Sequence, residues 1–340
     1  MNSTGQPDSG GQVPVPSAGD HETTGSSAGA VENPNPISLE RSRRCLHSGK
    51  LSPPDKVVVT YLTIVAILIL ATYDRVRLWW LLVPAHMLVI AFIFWLARRD
   101  YIKESRLKIS SVVRSWYPLI LIPMTYKELG YLIPLIHTHD FDRELALIDQ
   151  RILGVDPIIW LDRINHPAVT LIMQLSYLTY YVMPIVLGIV LWRAGRFADF
   201  EFFLFMVLLG FYTSYLGYIA VPAIGPRFFL GPGMAKSLSG PGVTAIRSFL
   251  DQMEGTTRDC FPSGHTELTL LVLFCAYRFH KKTFWVLLPA GSALIVSTVY
   301  LRYHYVVDVI AGTALAAVLA LASDWLYQAA GGVSGVRRNV

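Results

Sequence analysis

Eight long apolar runs constrain this chain more than any other feature. They fall at residues 57–73, 78–97, 116–136, 168–192, 198–221, 266–279, 283–300 and 306–327. A helix needs about 20 apolar residues to cross a hydrocarbon core. In lipid the backbone must satisfy its own hydrogen bonds, so such runs read as helices rather than open strands. The expected fold is all-α, a polytopic membrane helical bundle of about eight transmembrane helices. The third run is the least regular, with Pro118, Pro123 and Pro134 beside Lys127 and Glu128.

Charge follows the same logic. Only 16% of the residues are charged, against 53% hydrophobic. The net charge of +5 reflects loop Lys and Arg, and implies no nucleic-acid partner. With the N-terminus inside, Arg41, Arg43 and Arg44, then Arg98, Arg99 and Lys103, then Arg193 and Arg196, then Lys281 and Lys282 all fall in inner segments. The positive-inside rule favours that orientation. Cys45, Cys260 and Cys275 form neither a disulfide framework nor a zinc spacing. Residues 1–55 read as a disordered cytoplasmic tail, 56–115 as two additional spans with a basic inner loop, 116–328 as a catalytic membrane domain, and 329–340 as a second cytoplasmic tail. The 137–167 segment is amphipathic. It reads either as an interfacial stretch with Trp160, Ile158 and Ile159 in lipid, or as a solvated surface loop.

Three polar motifs then fall on the outer side. They are Pro222-Ala223-Ile224-Gly225-Pro226-Arg227, Cys260-Phe261-Pro262-Ser263-Gly264-His265-Thr266, and Arg302-Tyr303-His304-Tyr305-Val306-Val307-Asp308. Ionisable groups beside membrane spans are costly and read first as functional. Phosphoryl transfer needs a nucleophile, an acid for the leaving oxygen, and fixed positive charge around the phosphoryl oxygens. His304 is the candidate nucleophile, by way of a phosphohistidine. Asp308, four residues on, is expected to accept a hydrogen bond from its far ring nitrogen. His265 is the candidate acid and base. Arg227 and Arg302 offer planar forks for phosphoryl oxygens, with Ser263 and Gly264 at a helix start as further phosphate ligands. A lone interfacial histidine is more often a hydrogen-bonding or anchoring residue. The joint spacing of two histidines, Arg302, Asp308 and Ser263-Gly264 is what favours catalysis.

Pro262-Ser263-Gly264-His265 followed by Arg302-Tyr303-His304 and Asp308 resembles the second and third motifs of the type 2 phosphatidic acid phosphatase superfamily, which holds membrane lipid phosphatases and phosphotransferases. The resemblance implies a six-helix phosphatase-like core, metal-independent chemistry without cofactors, a lipid phosphate or phospholipid substrate, and the same roles for these residues. The first motif departs from the family's usual form. A lysine seven residues before the arginine is replaced by Ala220, and Phe228 stands where proline follows, leaving the site one cation short. Tyr218, Pro222, Gly225, Pro226 and Arg227, with the Asp149–Pro157 stretch, resemble the inositol phosphorylceramide synthase-like branch. That resemblance implies transfer of a phospho-headgroup such as inositol phosphate to a lipid hydroxyl, and makes Tyr218 and Lys127 candidate substrate-lining residues. A non-enzymatic anion or lipid transporter using the same charged cleft is the alternative class. His86 and Glu267 read as bonds between helices rather than as site residues.

Overall fold

The computed structural model describes residues 50–102, 109–230, 238 and 242–333. Most of the two tails read from the sequence lies outside the described residues. Among these residues there are helices and no strands. In chain order the helices are α1 (Pro53–Ala71), α2 (Trp79–Ile102), α3 (Ile109–Ile136), α4 (Asp142–Leu153), α5 (Pro157–Leu161), α6 (Pro167–Arg193), α7 (Phe197–Ala220), α8 (Pro226–Phe229), α9 (Val243–Glu254), α10 (Gly264–Phe279), α11 (Lys281–Tyr300) and α12 (Val306–Ala329). A 3-10 turn at Asp162–Ile164 separates α5 from α6.

Seven of these helices, α1, α2, α3, α6, α7, α11 and α12, are long and apolar enough to cross a membrane. The eighth expected span is α10, which has only 16 residues and extends about 24 Å. It sits at the centre of the bundle, packed on α7, α11 and α12. Protein rather than lipid surrounds it, so it needs no full hydrocarbon thickness. α3 is one helix despite three internal prolines. Neighbouring helices in a bundle can satisfy the backbone groups that proline frees.

α7 forms the spine, with most of its residues from Asp199 to Ile219 buried. Its aromatic face, including Phe202, Phe205, Tyr212 and Tyr215, belongs to one hydrophobic core shared with α1, α3 and α10. α1 packs on α7 and α2, and α6 on α11. The outward faces of α1, α2 and α6 carry exposed Ile, Leu, Phe and Trp, as lipid-facing surfaces do.

Alternating spans bring the ends of α7 and α11 and the starts of α10 and α12 to one end of the bundle. α4 lies across that end. Its buried carboxylates, seven residues apart, bind two other segments. Asp142 accepts from the backbone N–H groups of Ile224 (2.9 Å) and Gly225 (2.8 Å), and from the Tyr305 hydroxyl. Asp149 accepts from Val306 and Val307 N–H, both at 2.7 Å, and so caps α12 from outside. Of the residues expected to reach lipid here, Ile159 and Trp160 are exposed, while Ile158 is buried. Ile158 turns inward because Asp156 caps α5 and sets its register.

Candidate active site

The three motifs meet. Gly225, in the left-handed region at φ 82°, lets the first motif pass so close to the third that a Cβ would lie 2.8 Å from the Tyr303 carbonyl. The Arg227 N–H donates to the Arg302 carbonyl at 2.8 Å, joining the two arginines through the backbone. Arg302 is itself left-handed at φ 65°, a strained conformation for a residue with a side chain. The Ser263 N–H donates to the Asp308 carbonyl at 3.0 Å, joining the second motif to the third.

The two imidazoles are in contact. His265 Nδ1 lies 3.2 Å from His304 Nε2, and both residues are buried. His304 Nδ1 lies 2.8 Å from the Cys260 carbonyl, which can only accept. Nδ1 therefore carries a proton, and in the tautomer with no second one Nε2 presents a lone pair towards His265. His265 Nδ1 must then donate, and His265 Nε2 is buried without a partner. Tyr177 and Tyr180, one turn apart on α6, flank the His265 ring at centroid distances of 4.7 and 4.2 Å.

Asp308 stands at the far ring nitrogen of His304, where the sequence reading places it, but as a second acceptor at longer range. Its Oδ2 lies 3.5 Å from His304 Nδ1, while the Cys260 carbonyl takes the short bond. Asp308 Oδ2 accepts from the Cys260 thiol and from the Tyr305 N–H, each at 2.8 Å. Cys260 thus serves His304 through its carbonyl and Asp308 through its thiol. Burial pushes that thiol well up, and the Asp308 charge adds to the effect, so it stays a protonated donor. Cys260, His304 and Asp308 offer ligand atoms within 4.8 Å of one another. The thiol and the Nδ1–H are already hydrogen-bonded within this group, so a metal would have to displace them.

A cavity of about 330 Å³ opens beside the histidines. It is lined by His265, His304, Arg227, Arg302, Tyr177 and Tyr303, with Asp251, Glu254 and Asp259 among the remaining wall residues. Ser263 and Gly264 do not line it. Ser263 caps α10, accepting from Thr266 N–H at 3.3 Å, and is fully buried. A Cβ on Gly264 would lie 2.2 Å from the Tyr218 hydroxyl. Tyr218 packs behind the second motif rather than in the wall, and Lys127 is exposed on α3 away from the wall. Glu128 pairs with His86 at 2.9 Å, and Glu267 accepts from Thr213 at 2.8 Å and from Ser214, both bonds between helices as the sequence suggested.

The wall is more acidic than the motifs indicate. Arg227 forms two 2.6 Å bonds with Asp251, and Arg302 donates to Asp162 at 2.7 Å. Glu254 accepts from Tyr177 and Tyr181, and Asp259 from Tyr126. Burial, reinforced by Asp259, pushes Glu254 up to about 7. Burial also raises Asp259. These acids lie outside the motifs, and no local signal in the sequence marks them as wall residues.

The chain matches the PAP2 superfamily over residues 143–322, more than half of its length, and belongs to that superfamily. It is 28% identical over 163 residues to a PA-phosphatase related-family protein of Dictyostelium discoideum, covering 42% of this chain and 30% of that protein. It is 40% identical over 65 residues to the bacitracin transport permease protein BcrC of Bacillus licheniformis, covering 19% of this chain and 32% of that protein. The chain thus spans about a third of the length of these curated relatives. No solved structure matches it. The seven long apolar helices make it an integral membrane protein.

Proposed function

We propose that the protein is a lipid phosphatase or phosphotransferase that works through phospho-His304. The observation that carries this reading is the 3.2 Å contact between two buried imidazoles in a cavity with two guanidinium groups. His304 Nε2 attacks phosphorus, and the new N–P bond forms as the bond to the leaving oxygen breaks. His265 enters this step as the doubly protonated imidazolium, delivers one proton to that oxygen and is left as the neutral ring. An incoming hydroxyl gives its proton to His265 and attacks phosphorus, and the N–P bond breaks. Arg227 and Arg302 offset charge on the phosphoryl oxygens. Substrate must part the two imidazoles, because the phosphoryl group takes the place of their hydrogen bond. Asp308 and Cys260 hold His304 in the reactive tautomer, and Ser263 and Gly264 set the α10 N-terminus behind it.

The incoming hydroxyl is water in a phosphatase and a lipid hydroxyl in a phosphotransferase. Transfer of a phospho-headgroup such as inositol phosphate follows the branch resemblance of the first motif, and the residues serve both outcomes. No metal or cofactor takes part in these steps. The site faces the outer side of the membrane, with the N-terminus in the cytoplasm.

The test is phosphate release from a short-chain lipid phosphate by the purified protein, with and without an alcohol acceptor. His304→Ala should abolish turnover, and His265→Ala should cut it about 10²–10⁴-fold. Acid-labile, base-stable label from a ³²P-phosphate ester should appear on the wild type and not on His304→Ala. Excess chelator should leave turnover unchanged. Transport of an anion or lipid that persists in His304→Ala, with no vanadate-sensitive turnover, would replace this reading with the transporter one.

A further inference from the structure

Arg247 stands on α9 one turn before Asp251, so the two side chains share a face of that helix. Its guanidinium is partly buried, with Tyr303, Arg227 and Asp251 as electrostatic neighbours. Its Nε and Nη2 are buried and make no well-formed hydrogen bond, with Tyr303 the hydrogen-bonding side chain beside the guanidinium. These two nitrogens form the side-on edge that a carboxylate grips in a bidentate pair, and leaving them unmade is an expensive omission.

Arg227 is in the opposite condition. Its two Nη atoms are both taken by Asp251, at 2.6 Å each. A phosphoryl group that uses this fork must first displace the Asp251 carboxylate. The Asp251 side chain is 42% exposed on the helix surface. We propose that Arg247 is the receiving partner, and that the Asp251 carboxylate passes from Arg227 to the open edge of Arg247 when a phosphoryl group takes Arg227. The exchange moves a competing negative charge away from the entering anion and re-pairs it one helical turn off. Arg247 is then a positioning residue that acts through Asp251. This inference rests on the phosphoryl-transfer reading, because it needs an anion at Arg227.

The test is a double-mutant cycle on the full-length protein in detergent micelles, with orthovanadate as the probe and affinity read by calorimetry. Arg247→Gln should weaken vanadate binding about fivefold, the scale of a partly exposed ion pair. Asp251→Asn removes the competitor and should tighten binding. Arg247→Gln placed on Asp251→Asn should have no further effect. KM for a short-chain lipid phosphate should follow these shifts while kcat stays within about twofold, a split that a general loss of structure would not give. Arg247→Lys keeps the charge without the side-on edge and should fall between wild type and Arg247→Gln. The exchange is overturned if Arg247→Gln leaves vanadate affinity unchanged. It is also overturned if the loss persists on Asp251→Asn, since Arg247 would then contact the anion itself. A cycle that fails in a protein that binds vanadate sinks only this exchange. A wild type that binds no vanadate, with turnover intact in His304→Ala, sinks the phosphoryl-transfer reading and the exchange with it.

Discussion

Glu254 is a wall residue that burial raises into the neutral range. Its carboxyl is raised from 4.5 to about 7 by burial, then by the neighbouring Asp259. Below 7 it is neutral and tolerates an anion in the cavity. Above 7 its charge opposes one. Vanadate affinity of Glu254→Gln should therefore match the wild type well below pH 7 and exceed it above pH 7. Stability has the same sign, because the folded state binds the proton more tightly than the unfolded chain. The stability this group contributes in acid is lost as pH rises from 4.5 through about 7, and Glu254→Gln should flatten that part of a melting profile. Gly264 gives a steric prediction. Its missing Cβ leaves room for the Tyr218 hydroxyl and Ser214, so Gly264→Ala should cost about 1–3 kcal/mol by overpacking, read as a lower melting temperature. Trimming the hydroxyl in Tyr218→Phe should restore part of it.

At the scale of elements, α4 holds the site from outside the motifs. Asp149 satisfies two of the N–H groups that every helix start leaves open, and it does so for the helix that carries Asp308. Asp149→Ala should cost about 1–2 kcal/mol of stability and lower turnover by misplacing His304, while Asp149→Asn should keep part of both. Limited proteolysis between α11 and α12 would report the loosened turn. The other tie at element scale lies at the basic end of the bundle. Asp55 completes the α1 capping box with Ser52, binds Arg114 at 3.2 Å and accepts from Tyr117 at 2.6 Å. Arg114 therefore locks α3 to α1.

For the whole molecule, the odd number of spans from α1 to α3 and the alternation after it put all three motifs at one end. The basic loops Arg193–Arg196 and Lys281–Lys282 lie at the other. An impermeant thiol reagent should therefore label a cysteine placed at Thr257 in intact cells and spare one placed at Arg193. The reverse pattern would invert the orientation. α1 and α2 lie outside the superfamily match but share the core, since Tyr61 stacks on Tyr212 of α7 at 4.1 Å. Removing residues 53–102 should strip that face of α7 and lower stability rather than abolish the chemistry of the two histidines.

The apolar runs and the three motifs determined the helical bundle, the end where the motifs gather and the two histidines. Those features follow from local rules, the length of an apolar run and the side on which a run ends. Tertiary structure decided what each charge does. Arg227 belongs to Asp251, Arg302 to Asp162, and His304 bonds first to the Cys260 carbonyl rather than to Asp308. Asp149 and Val306 are 157 residues apart and yet form one helix cap. A sequence shows which side chains can pair, but packing fixes which ones come within 3 Å, and burial then makes that pairing obligatory.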